Sequence, residues 1–173
     1  MNEVLKCIQE RRSCRSFQDR QLDEKVLREI LTAGTYAASG RGKQSARIVV
    51  LQKPEEIAEL ERMNAAVLGT PNAHPFFGAP TVCVVLADAS VSTAVEDGAL
   101  VLGNLMTAAW SLGVGTCWVH RAREEFSSDE GKALLKRWGI EGDYIGIGHC
   151  VMGYPTGEFR PAAPRKEDYV VLR

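Results

Sequence analysis

The spacing of apolar residues changes period several times along the chain, and each change marks an element. Val4, Leu5 and Ile8 recur at helical spacing between Asn2 and Arg11, which predicts a short amphipathic helix. Val26, Leu27, Ile30 and Leu31 form one apolar stripe after Asp23, a residue suited to an N-cap, and Gly34 arrives near the end of this second helix. The β-branched run RIVVLQ reads as a buried strand. Pro54 at a first helical position opens PEEIAELERMNAAVLG, where Ile57, Leu60 and Met63 keep the helical repeat and the leading glutamates suit the helix dipole. Residues Gly69 to Gly78 carry no period. PTVCVVLAD is apolar through its middle, is stopped by Asp88, and predicts a strand.

Val95 to Leu112 is a long helical stretch, apolar or small on every side, with only Glu96 and Asp97 charged. Such a helix is expected to be buried nearly all round. GVGTCWV reads as a turn into a strand, SDEGKALLKRWG as a capped surface helix ending at Gly139, and YIGIGHCVMGYP as a last, glycine-rich strand. The rest, Thr156 to Arg173, is polar and proline-bearing, with YVVL near its end, and is expected to pack outside its own core. No repeat, low-complexity tract or linker divides the chain. The order of elements predicts one α+β or α/β domain, a sheet with helices on its faces.

Composition changes this picture little. The 173 residues suffice for one buried core. With 21 basic and 22 acidic residues, the net charge of -1 gives no global attraction to nucleic acid or to an anionic membrane, so an anion site has to be local. The five cysteines are odd in number and scattered, without CxxC or a metal-type pairing with histidine, and read as reduced core thiols. MNEVLKCIQERR lacks the apolar stretch of a signal peptide and no run spans a bilayer, so a cytoplasmic location is expected.

Candidate chemistry is sparse. Arg11, Arg12, Ser13 and Arg15 crowd together at a helix end, either as a solvated patch or as forked donors for a phosphate-like dianion, with Arg165 a further candidate. SGRGKQS matches neither GxxxxGK[ST] nor GxGxxG, and reads as a plain connection or as a loop laid against a flat ligand. His74, His120 and His149 lack partners at metal-ligand spacing, and no serine sits in GxSxG. A chain with anion-binding residues and glycine-lined loops, but no evident acid, base, nucleophile or metal, is what a cofactor-dependent protein requires.

Four stretches, in order, then resemble the nitroreductase family of FMN-dependent flavoproteins. IQERRSCRSF is similar to the family's I-x-x-R-R-S-x-R-x-F, and AASGRGKQSARIVVL to its A-P-S-G-x-N-x-Q-P-W-x-F-x-V loop and strand. EDGALVLGNLMTAAWSLGVGTCWV is similar to its central helix and G-L-G-x-x-W-I turn, and GIEGDYIGIGHCVMGYPTGEFRPAAPRKEDYVV to its closing strand, G-Y-P and arginine-bearing tail.

The resemblance implies an α+β three-layer sandwich: a mainly antiparallel sheet flanked by helices, in an intertwined homodimer whose tail, about 154–173, packs on the partner subunit. It implies FMN as cofactor and NADH or NADPH as electron donor, with a small-molecule acceptor such as a nitroaromatic, quinone or enone served in ping-pong order. No side chain acts as catalyst, because flavin N5 carries the chemistry. Neither nucleic acid nor membrane is an expected partner. Arg11, Arg12, Ser13 and Arg165 would hold the FMN phosphate and ribityl chain, and Arg15 would reach the pyrimidine edge. Ser39 and Gln44 would line the flavin from the partner subunit, and Asn72 would face the pyrimidine ring. The turn with Trp118, Val119 and His120 would offer backbone groups, including a donor to N5.

The chain departs from the family pattern at Ala38, Gly42, Ser45 and Ala46, where proline, asparagine and P-W are usual, so the cofactor loop is altered on one side. His120 stands where glycine or an acidic residue is common, which implies a different acceptor pocket. The altered loop also motivates an alternative, a flavin-binding or storage module with little turnover. A dimeric interaction protein without flavin is the third reading.

Overall fold

The computed structural model describes residues 1–173. In chain order the elements are α1 (Glu3–Glu10), α2 (Glu24–Thr35), β1 (Ala46–Leu51), α3 (Pro54–Leu68), β2 (Thr81–Asp88), α4 (Ala94–Ser111), β3 (Gly115–Val119), α5 (Ala122–Ser127), α6 (Asp129–Arg137) and β4 (Tyr144–Gly153). The strands form one antiparallel sheet in the order β1-β2-β4-β3, leaving β1 and β3 as its edges. The fold is the α+β class the resemblance implied.

Strand β2 explains the layering. Its side chains alternate between two apolar faces, Cys83, Val85 and Ala87 to one and Val82, Val84 and Leu86 to the other, and all six are buried. The first face is covered by α2 and α4 through Leu27, Ile30, Leu102 and Leu105. The second is covered by α3, α5 and α6 through Leu60, Met63, Phe126 and Leu134. Two cores on one sheet make three layers. Each fully buried leucine here contributes roughly 1.5–3 kcal/mol by removal from water.

Local signals account for the helix ends. Asn2 Oδ1 accepts from Leu5 N at 2.9 Å, Pro54 opens α3, Gly69 closes it at φ 77°, and Ser128 Oγ accepts from Gly131 N at 3.0 Å. Asp23 precedes α2 as expected but makes no capping bond; its carboxylate instead accepts from Tyr154 Oη at 3.0 Å. The glycines of β4 are places of close approach: a Cβ on Gly146 would run into the Ala122 carbonyl, and one on Gly148 would meet Trp118 Nε1 at 2.7 Å.

Two expectations are modified. The apolar residues of α1 are not buried by this chain, with Val4 64% and Ile8 58% exposed. Helix α4 is buried along the sheet but leaves Val95 and Leu100 exposed on its far side, so one chain covers only part of its apolar surface. The tail beyond Pro155 forms no helix or strand, and Tyr169 to Leu172 are exposed. Short α5, between β3 and α6, was not anticipated by the apolar pattern.

Candidate functional site

Helix α1 stops at Arg11, whose backbone turns to φ -53°, ψ 131°, and the chain then runs along the free edge of β3. Ser13 pairs in parallel with Thr116, and Cys14 N donates to Thr116 O at 2.7 Å. Gly115 makes room for this, since a Cβ there would meet Cys14 Sγ at 2.7 Å. The arginine cluster is thereby fixed to a sheet edge.

Arg11 and Arg12 are half-buried rather than solvated. Arg12 Nη1 donates to Gln9 O at 2.8 Å and to Arg11 O at 2.7 Å, but its Nε, like Arg11 Nη1, is buried without any hydrogen-bond partner. No carboxylate pairs with Arg11, Arg12 or Arg15. Buried, unmatched guanidinium donors cost free energy unless an anion takes them, which favours the dianion-binding reading over the solvated patch. Arg15 lies with Cζ 5.8 Å from the Phe77 ring centroid, next to the irregular loop that also carries Asn72. Asn72 is exposed.

β3 delivers the second part. Trp118 turns its side chain into the α4 core, and Val119 is 5% exposed with its side chain in the other core, so both can offer only backbone groups outward. His120 is exposed, and Arg121 adopts φ 79°, a left-handed conformation uncommon outside glycine. Ser13 pairs with Thr116 on β3, the strand that ends in this turn.

The third part lies elsewhere. The loop from Ser39 to Ser45 has positive φ at Arg41, Gly42 and Gln44, and Ser39 Oγ accepts from Gln44 N at 3.0 Å. Asp97, 3% exposed at the start of α4, anchors it: Oδ1 accepts from Gly40 N at 2.9 Å, and Oδ2 from Ser45 Oγ at 2.6 Å and Thr93 Oγ1 at 3.3 Å. The hydrogen bonds from Ser45 and then Gly40 hold the Asp97 carboxyl below the usual carboxylate range. Ser39 and Gln44 line a cavity of about 550 Å³ with Leu31, Ala38, Ile48 and Val101, and none of the arginine cluster borders it. Arg165 is exposed in the tail, and its Nη2 donates to Ala163 O at 2.7 Å; it makes no bond to Arg11 or Arg12.

One chain thus ties Ser13, and with it Arg11 and Arg12, to the edge of β3, the strand that carries Trp118 and Val119 and leads into His120. Ser39 and Gln44 line a separate cavity, and Arg165 lies in the exposed tail, bonded to neither group. The thiols stay structural: burial pushes Cys83 up to about 12 and also raises Cys14 and Cys150, and all five cysteines are free.

Sequence reasoning passed over three residues behind the β3–α5 turn. Asn64, fully buried on α3, donates from Nδ2 to His120 O at 2.8 Å and accepts at Oδ1 from Arg121 Nε at 3.0 Å. His149 Nδ1 lies 3.2 Å from Val119 O, and its Nε2 lies 2.8 Å from Glu125 Oε2, with no well-aligned hydrogen bond to either of the latter atoms. The partners are 24 and more residues apart in sequence, so spacing gave no signal.

The chain belongs to the nitroreductase family, whose model matches residues 8–154. Its fold superposes with a TM-score of 0.91 on a nitroreductase with bound FMN from Bacteroides fragilis, 26% identical with all of both chains covered. A nitroreductase with bound FMN from Desulfitobacterium hafniense gives 0.89 at 27% identity, covering 100% of this chain and 99% of that one. A protein of Archaeoglobus fulgidus, provisionally named an NADH dehydrogenase/NAD(P)H nitroreductase, is 29% identical over 91% of this chain and 88% of its own length.

Proposed function

We propose that the protein is an FMN-dependent oxidoreductase that takes electrons from NADH or NADPH and passes them to a nitroaromatic, quinone or enone-type acceptor in ping-pong order. The observation that carries this reading is the pair of buried guanidinium donors, Arg11 Nη1 and Arg12 Nε, left without partners next to Ser13 on the edge of β3. These residues fit a phosphate-bearing cofactor: forked cations and a hydroxyl at one end, backbone groups of Val119 and His120 at the other. FMN, when bound, supplies the two-electron carrier between donor and acceptor.

Arg11, Arg12 and Ser13 bind the phosphate and ribityl chain, and Arg15 places positive charge at the pyrimidine edge, with Asn72 nearby on the loop that follows α3. Ser39 and Gln44 belong to the site of a second copy, which explains why they line a separate cavity in one chain. Homodimerisation is supported by the exposed apolar residues Val4, Leu5 and Ile8 of α1 and Val95 and Leu100 of α4, and by the open edge of β1. The single domain, with its tail of about 154–173 and Arg165 reaching across to the partner, belongs to the same reading; the exposure of Tyr169 to Leu172 supports it, while the start of the tail packs at home, Phe159 against Trp110 at 4.8 Å between ring centroids. Sedimentation of the protein as a monomer at micromolar concentration would remove the dimer from this reading.

The experiment is an FMN titration followed by flavin fluorescence, then anaerobic mixing with NADH or NADPH. Wild type is expected to quench the flavin and to bleach it with at least one donor. Arg11→Ala with Arg12→Ala should weaken FMN binding at least 100-fold, at roughly 1.5–3 kcal/mol per charge-assisted bond. Binding without bleaching would favour the storage module instead, and unaltered binding by the double variant would sink the assignment of the arginines.

A further inference from the structure

The turn between β3 and α5 carries two consecutive peptide units whose carbonyls point inward. Val119 O faces the ring of His149, and His120 O accepts from Asn64 Nδ2 at 2.8 Å; His149 and Asn64 are both 0% exposed. In a planar trans peptide the N–H points opposite to the C=O. The N–H groups of His120 and Arg121 therefore point away from the core. Neither donates to any group of the chain. Arg121 reaches the required φ of 79° because Asn64 Oδ1 also holds its Nε at 3.0 Å and Glu125 N donates to Arg121 O at 3.0 Å.

A carbonyl only accepts, so His149 Nδ1 carries a hydrogen toward Val119 O. Nε2 and the Glu125 carboxylate lie 2.8 Å apart, both sealed from water between Phe76 and Phe126, so the carboxylate backs the ring from the side away from the turn. A donor pressed on a carbonyl polarises its peptide unit and strengthens the N–H on the opposite side.

We propose that Asn64 and the Glu125–His149 pair are positioning residues for the cofactor turn: they hold the Val119 and His120 carbonyls from inside, so that the His120 and Arg121 N–H groups face an acceptor nitrogen of the flavin ring as fixed, polarised donors. The inference rests on the FMN reading given above. A ring nitrogen of the oxidised flavin accepts such a hydrogen bond, and the same nitrogen, once protonated on reduction, does not. The clamp therefore favours the oxidised form.

The test uses FMN-loaded protein with Asn64→Ala, His149→Gln and His149→Asn. Asparagine places its amide nitrogen where the imidazole has Nδ1, and so keeps the donor to Val119 O; glutamine reaches only toward the Nε2 position. The readouts are the affinity for oxidised and for reduced FMN and the resulting midpoint potential, with melting temperature alongside. Asn64→Ala and His149→Gln are expected to weaken oxidised FMN about tenfold more than reduced FMN, raising the midpoint potential by about 30 mV for a two-electron couple. His149→Asn should restore most of that shift even where its melting temperature stays low. Potentials equal to wild type in all three variants, with only melting affected, overturn the proposal and leave the FMN reading intact. Failure of the wild type to bind FMN overturns both, and is seen before any variant is made.

Discussion

The Ser39–Ser45 loop and the Val119–Arg121 turn are both bent into left-handed backbone and both tied to buried polar side chains, but with opposite polarity. Asp97 accepts from the loop, taking the Gly40 N–H and the Ser45 hydroxyl, so the loop is left to present side chains, Ser39 and Gln44. Asn64 and His149 donate to the turn, taking its carbonyls, so the turn is left to present two N–H groups. The sign of the buried anchor decides which half of the backbone remains available to a ligand. Anchors of this kind also offset the cost of positive φ at Arg41, Gln44 and Arg121, roughly 1–2 kcal/mol each.

Removing an anchor tests the contrast most severely. Asp97→Ala strands the Gly40 N–H and the Ser45 hydroxyl in a buried place, at about 1–3 kcal/mol for each lost partner. A fall of several degrees in melting temperature is expected, together with loss of whatever Ser39 and Gln44 contribute to FMN affinity; an unchanged melting temperature would show that the loop holds itself. A smaller effect is expected from acid. The folded carboxyl of Asp97 titrates below its unfolded value of about 3.9, so its contribution is complete above that pH and disappears as pH falls through the lowered folded value. Urea unfolding of wild type between about pH 5 and pH 2.5 should therefore lose stability that Asp97→Asn has already lost at pH 7. Parallel curves for the two proteins would deny the anchor its charge. The smallest effect belongs to Gln44→Gly. Relief at φ 49° is opposed by the entropy of glycine in the unfolded chain, giving a change within about 1 kcal/mol, while FMN affinity falls because the side chain is gone. Destabilisation well beyond that would mean that Gln44 is held by contacts other than its backbone bond to Ser39.

Much of the fold was legible in the sequence because β2 is apolar through its middle, Pro54 and Gly69 bracket α3, and the last strand stands out as glycine-rich. The arginine cluster was legible as a candidate because its residue types and spacing are local properties. Helix α5 was not, since Ala122 to Ser127 is only six residues long and its burial is set by packing against β4. The role of α4 was half legible: its composition called for cover on all sides, and one chain provides cover on one.

By itself, then, the sequence determined the periods, caps and charge clusters, and through its motifs the family, because these depend on neighbours within a few positions. Tertiary structure alone decided that Arg11 and Arg12 end in buried, unmatched donors, that Asp97 holds one loop, and that Asn64, Glu125 and His149 converge behind the turn from α3, α5 and β4. Such convergence depends on strand order and helix packing, and residues brought together from separate elements leave no period in the chain that connects them.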